Sequence, residues 1–275
     1  YYNPLLCESW GAGIHARELA KAWRSAGHEV LELPGDAAAS CRTRAERGMR
    51  LGGRIGLVLG RDILRRICSM RHSAETVRSI SGFAPDVVVV RRSDYDYLVD
   101  SCLNAIRVPY VAEVNAVAAV ERARLHGRGS LPGERARERR YLMSASRVVC
   151  AAVDIAEEVA EIGVTPSDLV VVHNGVDVEM FAPTVPADRT AQAFRESCSA
   201  VVGYCATPSP VHDIDTLTLA ARHLAELHAG VGFLVVGLDP NEVEERFCGN
   251  GIERTKVLAT GKVDHSLVPS YLAAT

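Results

Sequence analysis

Residues Val170 to Pro183 read VVVHNGVDVEMFAP. Val170, Val171 and Val172 form a β-branched apolar run, the composition of a parallel strand covered on both faces. His173, Asn174, Gly175 and Val176 then turn the chain, so the expected strand empties into a polar bend. In open α/β sheets ligands bind in the crevice outside the carboxyl ends of the strands, which places Asn174 and Asp177 where a ligand is met. The same residues also read as a tight turn, with Asn174 and Gly175 supplying left-handed backbone. Both readings stay open here.

Upstream of this stretch the pattern alternates. Arg147–Ala151 reads as a strand and Val153–Ile162 as a helix ended by Gly163. Glu134–Ser144 reads as a charged helix laced by Glu and Arg three and four apart, a solvated surface element. Leu125–Gly133 (LHGRGSLPG) reads as a loop, and Ala116–Arg124 as a helix. Tyr110–Val114 is a strand whose carboxyl end gathers Glu113 and Asn115. Val87–Val90 is another, fully buried by its composition and ending at Arg91 and Arg92, with a helix following to Ile106. An arginine there meets a phosphate or carboxylate at the crevice edge, or pairs with the nearby Asp94 and Asp96.

The chain opens with Tyr1–Asn3, which have the character of the last residues of a first strand. Gly11, Ala12 and Gly13 then form a glycine loop before an amphipathic helix over Ile14–Ala26, and Val30–Leu33 reads as the second strand. Gly11 and Gly13 let a phosphate approach the backbone at the helix N-terminus, or simply make the turn tight. Between Asp36 and Gly82 lies an arginine-rich, lysine-free insert with an apolar helical stripe. It reads as an ordinary solvated face first, and as a patch for an anionic membrane or acidic acceptor, over 42–78, second.

Downstream the composition shifts. Thr184–Ala200 reads as an interdomain linker with room for a helix, and a new βα series follows: strands Ala200–Cys205, Gly232–Val236 and Val257–Ala259 alternate with helices Asp215–His228, Asn241–Cys248 and Ser266–Ala273. The expected division is an acceptor-side domain over 1–183, a linker over 184–199 and a donor-side domain over 200–275.

Composition narrows the function classes. A net charge of −3 over 275 residues argues against a nucleic-acid binder, and 48% hydrophobic content with 24% charged residues is that of a globular chain able to bury a core. The eight cysteines include no C-x-x-C pair, so they read as reduced thiols of a cytoplasmic protein rather than a disulfide framework. No apolar run reaches the length of a membrane span and no signal peptide is legible, which leaves at most a contact with the inner face of a membrane. Both ends read as cut.

HNGVD followed by F-x-P before the linker, GAGIHARELAKAWRSAGHEV near the start, RVPYVAEVNA, VVGY and TGKVDHSLVPSYLAA together resemble the family four glycosyltransferases of the GT-B fold. The likeness runs over nearly the whole chain, and HNGVD with F-x-P is its most specific part. It implies two Rossmann-like doubly wound α/β domains facing a cleft, the second incomplete. It also implies transfer of a sugar from a nucleoside-diphosphate donor of UDP or GDP type to a glycan, lipid-linked or small-molecule acceptor. Such transfer retains anomeric configuration and uses neither a metal nor another cofactor.

By the resemblance, Gly11 and Gly13 approach the donor phosphates, and Asn115 stands where many relatives place a catalytic histidine. Arg91, Glu113, Asn174 and Asp177 line the acceptor side and cleft, and Lys262 and Val263 meet the nucleobase. Thr207 and Ser209 occupy the diphosphate loop, in CATPSPVHDID, where relatives carry glycine and a basic pair. Asp213 replaces a usual glycine. Each lost charge-assisted hydrogen bond is worth about 1.5 to 3 kcal/mol, so two such losses weaken donor binding substantially. The alternative implied by that departure is a non-catalytic GT-B relative that binds an acceptor or partner. The family's paired glutamates would lie beyond Thr275, and a fragment without them is expected to lack part of the donor site.

Overall fold

Short β-branched runs alternating with amphipathic helices produce parallel sheets, and a computed structural model shows two of them. It describes residues 1–4, 6, 11–33, 74–92, 107–126, 132–207, 209 and 212–275. The chain divides into two compact units, Tyr1–Gly175 and Val176–Thr275.

In the first unit, strands β1 (Val88–Arg91), β2 (Tyr110–Val114), β3 (Arg147–Cys150) and β4 (Leu169–Val171) run parallel in that spatial order. Tyr2 forms parallel bridges to both Val90 and Leu33. Its N–H donates to the Val89 carbonyl at 2.8 Å, while Asn3 N–H donates to the Leu33 carbonyl at 2.8 Å. The order is therefore 31–33, 1–3, β1, β2, β3, β4. The chain winds one way from 1–3 to 31–33 and the other way to β1, so a topological switch point lies between residues 1–3 and β1.

Helix α1 (Gly11–Ser25) carries small residues every fourth position, and Ala12, Ala16 and Ala20 are all buried, with the last two fully enclosed. That spacing puts them on one face and lets the helix lie close on its neighbours. Gly11, Ala12 and Gly13 form the first turn of this helix and are not a loop before it. The core of the unit includes Val90, Ala112, Tyr110, Val148, Cys150 and Val159. Residues 74–83 are helical. The rest of the arginine-rich insert, from 34 to 73, lies outside the described residues, as do 93–106 and most of the 125–133 loop.

Two expectations are corrected. Val170, Val171 and Val172 are 43%, 38% and 53% exposed, because β4 has a strand partner only in β3 among the described residues. An apolar run reports affinity for a strand, not its rank in the sheet. Val87 is likewise exposed, and β1 alternates between buried and half-buried positions rather than being covered throughout.

Helices α2 (Ala118–His126), α3 (Glu134–Met143) and α4 (Val153–Glu161) complete the unit. Far from being a purely solvated element, α3 buries Glu134 and Glu138. Glu138 accepts the Ala118 N–H at 2.8 Å and the Ala119 N–H at 3.4 Å, and so caps α2 from another helix. Glu134 pairs with Arg92 just past β1, and the Tyr141 hydroxyl donates to the Val90 carbonyl at 2.7 Å. The end of β1 is thereby fastened to α3.

In the second unit β5 (Ala200–Cys205), β6 (Val231–Val236) and β7 (Val257–Gly261) are parallel with β6 in the centre, buried at all six positions. Period-two alternation sends Val231, Phe233 and Val235 to one face and Leu234 and Val236 to the other. The helix α5 (Arg189–Glu196) precedes this sheet, and α6 (Ile214–Leu227), α7 (Pro240–Gly249) and α8 (Val268–Leu272) follow its strands in turn. The first face packs on α6 and α7, through Ala221, Val243 and Phe247. The second packs on Ala191 of α5 and on Ala274, just beyond α8. Asp188 caps α5, and its N–H donates to the Ser270 carbonyl at 2.9 Å. The stretch expected to act as a linker contributes a core layer to the second unit, Val176–Thr275.

Candidate functional site

In parallel strands, residues in register point to the same face. Arg91 is in register with Glu113, and the Tyr2–Val90 bridge brings Asn3 level with Arg91. Tyr1, Asn3, Arg91, Glu113 and Asn115 therefore converge at the carboxyl edge of adjacent strands, on both sides of the switch point. His15, near the start of α1, completes the group.

Glu113 is its centre. Only 9% exposed, it accepts the Tyr1 hydroxyl at 2.8 Å on Oε2, and its Oε1 stands 2.8 Å from His15 Nε2. Arg91 Nη1 lies 3.7 Å from the same Oε1. The Asn115 amide oxygen, in the orientation that satisfies both groups, accepts from Nη1 and Nη2 of Arg91 at 2.9 Å each. Fully buried Asn3 donates to the Tyr1 hydroxyl at 3.0 Å. Removing a carboxylate from water costs several kcal/mol, which these donors and the nearby guanidinium offset. Burial first, then the charge and hydrogen bond of Glu113, push the Tyr1 phenol well above its ordinary range, so it remains a donor.

Three residues chosen from the sequence, Arg91, Glu113 and Asn115, thus meet in one network. Gly11 and Gly13 lie at the start of the same helix as His15. Sequence reading missed His15, Tyr1 and Asn3. The available signal was positional: a histidine one turn into the first helix, and polar side chains two apart at the end of the first strand.

Asn174 is exposed after β4. Asp177 accepts the Glu179 and Met180 N–H groups at 3.1 and 3.0 Å, closing the turn that leads to Phe181. The Phe181 ring lies 5.6 Å from that of His265. Neither Asn174 nor Gly175 has left-handed backbone, so the bend is closed by these Asp177 bonds and not by a left-handed Asn174–Gly175 pair.

In the second unit the strand exits are laced together. Ala206 N–H donates to the Val236 carbonyl and Gly237 N–H to the Gly261 carbonyl, at 3.0 and 2.9 Å. Thr207 and Ser209 follow β5, while Lys262 and Val263 follow β7 on the far side of β6. Lys262 is exposed just past the strand, and partly buried Val263 packs against the core. Each helical element after these strands begins with an aspartate whose carboxylate accepts a backbone N–H: Asp213 from Thr216, Asp239 from Asn241 and Asp264 from Ser266. Hydrogen bonds to Thr216 and Ser266 hold the Asp213 and Asp264 carboxyls below their ordinary value. Asp213 does this in left-handed backbone, at φ 39°.

A cavity of about 370 Å³ lies at the opposite, amino edge of the first sheet, among Trp23, Leu31, Phe83 and Val88. It contains none of the converging polar groups except part of Tyr1, so the polar constellation is the better candidate site.

Two Rossmann-like units in one chain, the first with a polar constellation at its switch point, define the GT-B class of architecture. Among solved structures, a glycosyltransferase from Rickettsia africae ESF-5 is similar at TM-score 0.62 and 13% identity, over 98% of this chain and 69% of that one. Sucrose-phosphate synthase from Thermosynechococcus elongatus is similar at 0.58 and 13%, over 76% and 53%. Anabaena Alr3699/HepE, solved with UDP and glucose, is similar at 0.54 and 15%, over 74% and 53%. The matched part of the chain spans about half of HepE and of the synthase. No curated protein matches the sequence. The sequence profile of Glycosyltransferase Family 4 matches residues 10–180, more than half of the chain, and the chain belongs to that family.

Proposed function

We propose that the chain transfers a sugar from a nucleoside-diphosphate donor to an acceptor hydroxyl, with retention and without a bound metal. Its carrying observation is the family match across the unit that holds the Glu113 constellation. In this reading Asn115, Arg91 and Glu113 form the acceptor side. Thr207, Ser209, Lys262 and Val263 form the donor side, with the loop after β5 at the diphosphate and the residues after β7 at the base. The neighbour solved with UDP and glucose supports a UDP-type donor.

Transfer leaves charge on the departing diphosphate, and charge developing in the transition state is where preorganised donors contribute most. Cys205–Asp213 contains neither lysine nor arginine, so the hydroxyls of Thr207 and Ser209 carry that role. The same deficit favours one second reading: a non-catalytic relative that binds an acceptor or partner.

Thermal unfolding with UDP and with GDP separates the two readings. A ligand that binds only the folded state raises its stability, by about 2.7 kcal/mol at a hundredfold excess over Kd. Stabilisation by millimolar UDP or GDP is the expected result. Absence of any shift with both nucleotides refutes the transferase reading.

A further inference from the structure

We propose that His15 is the residue through which the first unit receives the hydroxyl of a pyranoside acceptor, with Glu113 as its positioning residue. This rests on the transferase reading and assigns it a residue that neither the family match nor the sequence motifs single out.

An ionised carboxylate such as Glu113 only accepts hydrogen bonds. Its Oε2 is taken by the Tyr1 hydroxyl, and Oε1 lies 2.8 Å from His15 Nε2. For that contact to be a hydrogen bond, Nε2 must carry the proton, and the network so assigns the tautomer. The lone pair of the neutral imidazole is then on Nδ1. Among the described residues Nδ1 has no hydrogen-bond partner, so this acceptor is left for something else. Arg91, 3.7 Å from Oε1, balances part of the carboxylate charge.

Location agrees with chemistry. The carboxylate is 9% exposed and the imidazole side chain 21%, so the pair runs from a closed floor towards the surface. It does so at the carboxyl edge beside the switch point, where parallel sheets meet ligands. A sugar hydroxyl fits because it donates one hydrogen bond to Nδ1 while its oxygen stays free to accept. A core histidine held only for packing has no use for a fixed tautomer whose acceptor no described residue fills.

Glutamine reproduces the reach of Nε2 but has no counterpart of Nδ1, which makes His15→Gln the decisive variant. The probes are methyl α-glucopyranoside, methyl α-mannopyranoside and methyl α-galactopyranoside, added to UDP-saturated protein labelled with ¹⁵N-histidine. In the unsubstituted chain the His15 spectrum should show the Nε2–H tautomer, and at least one pyranoside should shift its Nδ1 resonance. His15→Gln should keep its unfolding midpoint and UDP affinity while pyranoside binding falls tenfold or more. Glu113→Gln should mix the tautomers and weaken the same binding. Equal pyranoside binding by the chain and His15→Gln overturns the proposal, as does an Nδ1 resonance that none of the three moves. UDP stabilisation in either of those cases leaves the transferase reading standing, and its absence removes that reading separately.

Discussion

Replacing Gly237 by alanine tests how the strand exits of the second unit are held. A Cβ at this position would stand 2.2 Å from the Ala206 carbonyl oxygen, on backbone with φ +101°. The left-handed conformation alone costs a non-glycine residue about 1 to 2 kcal/mol. The contact adds to this, because Ala206 cannot retreat freely while its N–H is bonded to the Val236 carbonyl at 3.0 Å and Gly237 N–H to the Gly261 carbonyl at 2.9 Å. Losing one or two such bonds costs about 0.5 to 1.5 kcal/mol each, for a total of about 1.5 to 5 kcal/mol. Gly251→Ala is the matched control, since its φ is +85° and nothing lies within 4 Å of the added carbon. It should cost only the conformational part, about 1 to 2 kcal/mol.

Urea unfolding followed by far-UV circular dichroism reads the difference. Trp23, in α1, belongs to the first unit, so its fluorescence reports on a unit expected to be unaffected. Equal destabilisation by the two alanine variants would refute the steric argument and leave only backbone preference. Gly237→Ala should also weaken any UDP binding, since it displaces the loop carrying Thr207.

Glu138→Ala leaves the Ala118 and Ala119 amides at the start of α2 without their remote cap and should cost about 1.5 to 3 kcal/mol by urea unfolding of the first unit, with Glu138→Gln recovering part of it. The second unit should lose stability in acid: Asp213 and Asp264 have carboxyls depressed from an ordinary 3.8, so their contribution is complete above that pH and disappears as pH falls through the lower folded-state values. Unfolding midpoints measured from above pH 3.8 to well below it should show this decline, and Asp213→Asn should make it shallower.

Much of the fold was legible because period and composition agree. The strand over Ala200–Cys205 matches its expected bounds, and the helices after it shift by a residue or two at their ends. What was not legible is which strand lies at an edge. Val170–Val172 is as apolar as the buried residues of β6, yet only strand order decides which of the two is enclosed. Similarly, alternating Glu and Arg in α3 reads as a solvated face because spacing reveals pairs within a helix, whereas the partners of Glu134 and Glu138 are Arg92 and the amides of α2. The site was half readable for a related reason. Arg91, Glu113 and Asn115 announce themselves at strand ends, while His15 and Tyr1 join them only through pairing across the switch point.

Glu113 and its partners are far apart along the chain, with Tyr1 separated from it by 112 residues and His15 by 98. Closing loops of that span is slow and entropically costly, so such contacts form only when strands 1–3, β1 and β2 are already aligned. A ligand received at His15 beside this carboxylate would therefore count one finished sheet, and a chain caught midway through folding would be blind to it.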